Sequence, residues 1–199
     1  MRPPRPGARD VAACIVAAVL SWCLVTGDSA AETLEFPVGY EDFHDDQVYN
    51  FQLNRWYSLG YIGHDRLAEA GRAIDSFDSW KTEMLRQAEL ADADGRVMEA
   101  AYFYRAAEFY TRHDDPEKLD LYRTFVARFD EAFVEVGFER HEVPYGGAVL
   151  PALRLATQGE SRGTIVAHGG FDSFAEEFAS LMLFFAQRGY DIVVFDGPG

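Results

Sequence analysis

Two apolar runs of strand length, residues 164–167 (TIVA) and 191–195 (DIVVF), flank a segment with helical spacing, and nothing else constrains this chain as strongly. Runs that are continuously apolar suit strands covered on both faces. Two such strands joined by a helix make a βαβ unit of a parallel sheet. Between them Phe174, Phe178, Leu181 and Phe185 predict an apolar helix face from Ser173 to about residue 188. Ser173 and Glu176 have the spacing of a capping box, and Gly189 is placed to end the helix. Just upstream, residues 138–143 and 149–155 read as strands on either side of the turn Tyr145-Gly146-Gly147, a hairpin. The carboxyl-terminal third is therefore of the α/β class.

Residues 46–133 are helical in pattern. Ser79-Trp80 opens a helix that Asp94-Gly95 breaks. Residues 96–112 (RVMEAAYFYRAAEFYTR) are apolar around most of their circumference, with Arg105, Glu108 and Arg112 as a polar stripe, so this helix is expected between neighbours. Asp115 caps a further helix with Pro116 at its first position, and Leu119, Tyr122, Val126, Phe129 and Phe133 give its apolar face. The small and aromatic residues of AAYFYRAAEFY also suit a helical hairpin repeat, which would make a non-catalytic scaffold or peptide-binding module. No second copy appears, and solenoids need about three stacked units to bury a continuous core.

Two stretches bear on chemistry. Gly159-Glu160-Ser161-Arg162-Gly163 fits G-x-S-x-G, the pattern of a serine nucleophile. That pattern works on a turn from a strand into a helix, whereas here it lies between two strands. Ser161 is thus expected to be a surface turn residue. AHGGFDSFAEE, residues 167–177, is more informative: it leaves the carboxyl end of an apolar strand, crosses two glycines that allow close approach of a ligand, and enters a helix whose first N–H groups favour an anion or oxyanion. Neither G-x-G-x-x-G nor a P-loop lysine is present, which argues against nucleotides.

Strand, His168-Gly169-Gly170 loop, helix, strand and the ending Asp196-Gly197-Pro198-Gly199 resemble the first half of an α/β-hydrolase. GGFDSFAEE, YDIVVFDGPG and the helical FYRAAEFY stretch are similar to the branch with an amino-terminal helical domain, which includes 2,6-dihydroxypseudooxynicotine hydrolase and relatives of the fermentation-respiration switch protein. The likeness spans about residues 40–199. Residues 1–31 lie outside it and read, on their own composition, as a leader; the likeness implies a helical, cap-like domain over 38–135 that roofs the active site, and over 136–199 the first four strands and one crossover helix of an incomplete sheet with strand order 1-2-4-3-5. It also implies a serine triad located beyond Gly199, so that no catalytic residue falls in this chain and the chain by itself is expected to be inactive. One oxyanion donor falls on the backbone N–H of Phe171, with Gly170 second. His168, Gly169, Asp172 and Asp196 are pocket candidates, Asp172 and Asp196 with a turn or structural role as the favoured reading. The whole enzyme would cleave an ester, amide or activated carbon–carbon bond of a small-molecule substrate without a cofactor.

With 33 acidic against 18 basic residues the formal charge is −15, which argues against nucleic acid as a partner. The basic start, the apolar run from Val11 to about residue 26 and the small residues Ser29-Ala30-Ala31 read as a secretory signal or membrane anchor, placing the protein outside the cytoplasm. A start codon set too early would instead leave it cytoplasmic. Both cysteines, Cys14 and Cys23, lie in this leader, so the remainder has no thiol for a disulfide, a metal or catalysis, and the five histidines have no zinc-binding spacing. The apolar strand at 164–167 would have an open edge, which is expected to favour pairing with another copy as a homo-oligomer.

Overall fold

A computed structural model describes residues 39–197; the leader, with its expected signal, lies outside them. Among the described residues five helices come first. Helix α1 is Gln47–Ser58, α2 His64–Gly71, α3 Phe77–Ala93, α4 Val97–Phe109 and α5 Lys118–Ala132. Strands β1 (Glu139–Tyr145), β2 (Ala148–Leu155) and β3 (Thr164–His168) follow, then a 3-10 turn (Ala175–Phe178), helix α6 (Ala179–Ala186) and β4 (Asp191–Phe195). Among the described residues no helix is long and apolar enough to cross a membrane.

Local chemistry sets most of these boundaries. The Asp46 carboxylate accepts from the Val48 N–H at 2.8 Å and starts α1. Helix α3 begins two residues earlier than Ser79-Trp80 suggests, because Ser76 is its cap and Ser79 reciprocates from the third position. Gly95, at φ 71°, ends it. Asp115 does not cap α5: its carboxylate accepts from the Glu117 N–H at 2.9 Å and pairs with Lys81, which makes a turn ahead of a helix that starts at Lys118.

Helix α4 packs against both α3 and α5, as its nearly all-apolar circumference requires. Of the expected polar stripe, Arg112 faces solvent while the other two residues are buried. Arg105 and Glu108 are each only 2% exposed and pair with one another, and Lys118 closes on Glu108 at 2.6 Å. The apolar face of α5 is the expected one in Tyr122, Val126, Phe129 and Phe133, which are buried or pack against the core; Leu121 and Phe125 join it as buried residues, while Leu119 faces solvent. Trp56, Trp80, Tyr102, Phe103 and Phe125 fill the helical part of the core, and the Trp80 indole N–H donates to the Ala106 carbonyl at 2.7 Å.

The sheet has the order β1-β2-β4-β3, in agreement with the expected one. Strands β1 and β2 form an antiparallel hairpin, and β3 and β4 run parallel from Thr164 opposite Asp191 to His168 opposite Phe195. Gly146 and Gly147 make the two-residue hairpin turn with φ of 55° and 85°, the left-handed pair such turns demand. Leu153, Leu155, Ile192 and Val194 are buried on one face of the sheet, where Ile165 and Ala167 join them and α6 packs. Coverage on both faces is not observed: Val166, whose side chain takes the other face, is 65% exposed among the described residues.

Candidate functional site

The segment from His168 to Glu177 leaves the carboxyl end of β3, and its backbone accounts for its shape. Gly169 lies so close to Ser173 that a Cβ on it would stand 2.7 Å from the Ser173 Cβ. The glycine is needed for contact with its own chain rather than for the approach of a ligand. Gly170 has no such constraint, its nearest neighbour being the Asp172 carboxylate at 3.8 Å. The backbone N–H groups of Gly170 and Phe171 meet no acceptor among the described residues, although the Gly170 carbonyl accepts from the Ser173 N–H at 3.5 Å. The Phe171 side chain is wholly exposed.

The crossover helix does not start at Ser173. Its first turn is the 3-10 turn, and the carboxylate that caps it is Glu177, which accepts from the Phe174 N–H at 3.1 Å. Ser173 is otherwise engaged: its Oγ accepts from Arg55 of α1 at 2.9 Å. Glu176, expected as the capping partner, instead receives Arg140 of β1 at 2.5 Å.

Glu177, only 3% exposed, is held by two arginines of the helical part. Arg105 Nε donates to Oε1 at 2.7 Å, and Arg55 Nη2 lies 2.6 Å from Oε2. Arg105 goes further. Its Nη2 donates to the Asp172 carbonyl at 2.5 Å, and its guanidinium lies 4.4 Å from the centre of the Phe174 ring and 5.0 Å from that of Phe109. Two tyrosines fasten the same turn, Tyr102 through the Glu176 carbonyl and Tyr61 through that of Glu177. Sequence reasoning missed Arg55, Tyr61, Tyr102, Arg105 and Arg140. A usable signal existed for one of them, since an arginine inside an otherwise apolar helix needs a buried carboxylate.

The remaining expected residues are spread over this end of the sheet. His168 is exposed, with Nδ1 2.8 Å from the Gly169 carbonyl oxygen and its ring 5.8 Å from that of Phe195. The Asp172 side chain is half-exposed, with Oδ2 3.5 Å from Arg55. Asp196 follows β4; its N–H donates to the Pro151 carbonyl at 3.0 Å, and its Oδ1 has no hydrogen-bond partner among the described residues. Burial first, and then the Glu176 charge, push its carboxyl pKa up to about 6. Ser161 sits at the other end of β3, in a surface turn where its Oγ accepts from the Gly163 N–H at 3.2 Å. A five-residue strand, roughly 16 Å at about 3.3 Å per residue, separates it from the loop.

Among the described residues no group of three His, Cys, Asp or Glu side chains could hold a metal ion. A cavity of about 360 Å³ lies where α5 meets β1, lined by Phe129, Asp130, Phe133, Val134, Phe138 and Arg140. None of the sequence-predicted site residues borders it.

Solved structures share this architecture. The wild-type form of a protein named AbyA5 is 28% identical, with a TM-score of 0.60 over 77% of this chain and 45% of its own. A second AbyA5 structure is 30% identical, with a TM-score of 0.53 over 66% and 41%. 2,6-Dihydroxy-pseudo-oxynicotine hydrolase is 24% identical, with a TM-score of 0.52 over 72% and 45%. These are α/β-hydrolase-fold proteins, and this chain, helices followed by a four-stranded sheet, matches the fold of part of each. It spans less than half of each neighbour's length. No family model and no curated protein matches the sequence.

Proposed function

We propose that this chain is the amino-terminal part of a serine-dependent hydrolase acting on an ester, amide or activated carbon–carbon bond of a small molecule. In this reading the loop after β3 supplies one side of the oxyanion hole, and the five helices roof the pocket. One observation carries the reading. At the carboxyl end of a parallel strand, in a loop clasped by buried side chains, the N–H groups of Gly170 and Phe171 are left without a protein acceptor.

When a serine oxygen adds to a carbonyl carbon, the carbonyl oxygen gains charge. Fixed N–H donors about 2.7–3.1 Å from it stabilise that charge without reorganising. The nucleophile, an acid and a histidine would follow beyond residue 199, in the chain order this fold uses. The greater length of the structural neighbours supports that placement. Asp172 and Asp196 would border the pocket, Asp172 beside the donor and Asp196 from the end of β4.

The test is to treat the whole protein with a fluorophosphonate probe and a panel of aryl esters. Ester turnover is expected, together with covalent labelling of one serine beyond residue 199 and none on Ser161. Absence of both turnover and labelling, or labelling of Ser161, would overturn the reading.

A further inference from the structure

We infer that Arg105 is a positioning residue for the loop after β3, the helical part of the chain thereby setting the aim of the Gly170 and Phe171 N–H groups. The inference goes beyond the hydrolase reading and rests on it only for the kinetic consequence. Arg105 is 2% exposed and satisfies three acceptors at once: the Glu108 carboxylate on its own helix, the Glu177 carboxylate and the Asp172 carbonyl. The last contact is the informative one, because a core ion pair has no need to reach a loop carbonyl. With His168 fixed in the β3–β4 ladder and the Asp172 carbonyl fixed by Arg105, only three residues lie between the two anchors. Arg55 braces the outer side of the turn through Ser173 Oγ and Asp172 Oδ2. A donor that must meet charge as it develops is useful only if it is aimed beforehand.

Lysine at position 105 would keep the positive charge for Glu108 and Glu177. As a point charge on a flexible stem it would lose the planar fork that also reaches Asp172. The experiment compares wild type and Arg105→Lys by ¹⁵N relaxation on the full chain and by ester kinetics on the whole protein. In the variant the order parameters of Gly170, Phe171 and Asp172 are expected to fall from the rigid range near 0.85 to below about 0.6, with α3 and α4 unchanged. In the kinetics kcat is expected to fall about 10–100-fold while KM stays within about threefold, since a misaimed donor is missed mainly in the transition state.

A folded Arg105→Lys protein with an unchanged loop would overturn the inference, whatever its activity. If Arg105→Lys does not fold, the wild-type chain decides: order parameters of Gly170, Phe171 and Asp172 already below about 0.6 would equally overturn the inference, because a loop that is not held is not aimed. If the wild-type whole protein hydrolyses no ester yet the loop loosens in the variant, the hydrolase reading fails and the hold of Arg105 on the loop stands.

Discussion

Tyr61 and Tyr102 lie face to face, their ring centroids 3.6 Å apart and their planes 6° from parallel, and each hydroxyl reaches a carbonyl of the crossover turn. Tyr61 donates to Glu177 at 2.7 Å and Tyr102 to Glu176 at 2.8 Å. Burial pushes both phenol pKa values up, so both remain donors at ordinary pH. The pair is a stacked bridge from α4 and the end of α1 to the segment that carries the candidate loop.

The two hydroxyls are not equivalent. Tyr61 also accepts from the buried Ser180 N–H at 3.0 Å, whereas the Glu176 carbonyl served by Tyr102 has a second donor in the Ala179 N–H. Tyr102→Phe is expected to cost about 1 kcal/mol, the net worth of one hydrogen bond. Tyr61→Phe strands a buried donor and is expected to cost about 1–3 kcal/mol. Urea unfolding of both variants checks the order, and a larger loss for Tyr102→Phe would contradict it.

Gly169 and Gly170 are expected to respond differently to alanine. At Gly169 the new methyl group meets Ser173, so the loop must shift; at Gly170 it meets open space apart from the Asp172 carboxylate at 3.8 Å. Gly169→Ala should cost about 1–3 kcal/mol, the usual penalty for overpacking, while Gly170→Ala should stay within about 1 kcal/mol. Thermal melts of the two proteins decide, and equal melting temperatures would refute the close contact.

The Phe171 donor belongs to the backbone, which separates two substitutions of one residue. Phe171→Ala keeps the N–H and removes only an exposed ring; Phe171→Pro removes the N–H itself. On the proposed hydrolase reading, the proline variant of the whole protein is expected to lose about 10²–10³ in kcat, and the alanine variant far less. Circular dichroism establishes that both are folded, and full activity in a folded Phe171→Pro enzyme would move the donor elsewhere.

Asp196 gives a pH dependence whose sign follows from its partners. Glu176 and Glu177 raise its pKa along with burial, while the Ala175 N–H and Arg105 lower it, leaving it at about 6 against about 3.9 in an unfolded chain. The folded state therefore binds more protons between those values. The associated stability is fully present below about pH 4 and is lost as pH rises through 6. Asp196→Asn is expected to melt higher than wild type at pH 7.5, the gap closing by pH 4. Melting curves across that range test it, and a gap that widens in acid would show the carboxylate to be favourably paired.

Much of the architecture was legible because local periodicity carries it. The hairpin around Gly146-Gly147 and the two apolar strands with a helix between them appear as the periodicity predicts, and the strand order as the family resemblance implies. The misreadings fall where a residue's partner is remote in sequence. Ser173 looks like a helix cap until Arg55, 118 positions away, takes its oxygen. Arg105 reads as part of a polar stripe, and its buried partner Glu177 lies 72 positions away. Leu119 matches the spacing of the α5 face but is left in solvent, while Leu121 and Phe125 join Phe129 as its buried centre. At the loop, the glycines could be read from the sequence and the donor assignment came from the family resemblance, whereas the clasp that holds the segment could be had from neither.

The clasp also bears on how such proteins can diversify. Glu176 and Glu177 belong to the strand-bearing half, but apart from the Phe174 N–H their recorded carboxylate partners are Arg140 of β1 and, from the helices, Arg105 and Arg55. Grafting foreign helices onto this sheet would leave Glu177 as a bare charge in an apolar setting, a defect of about 3–5 kcal/mol. The helical half is thus not an interchangeable module. Recombination that swaps it whole would be purged for instability, which leaves point changes on the helix faces away from Arg55 and Arg105 as the open route to variation.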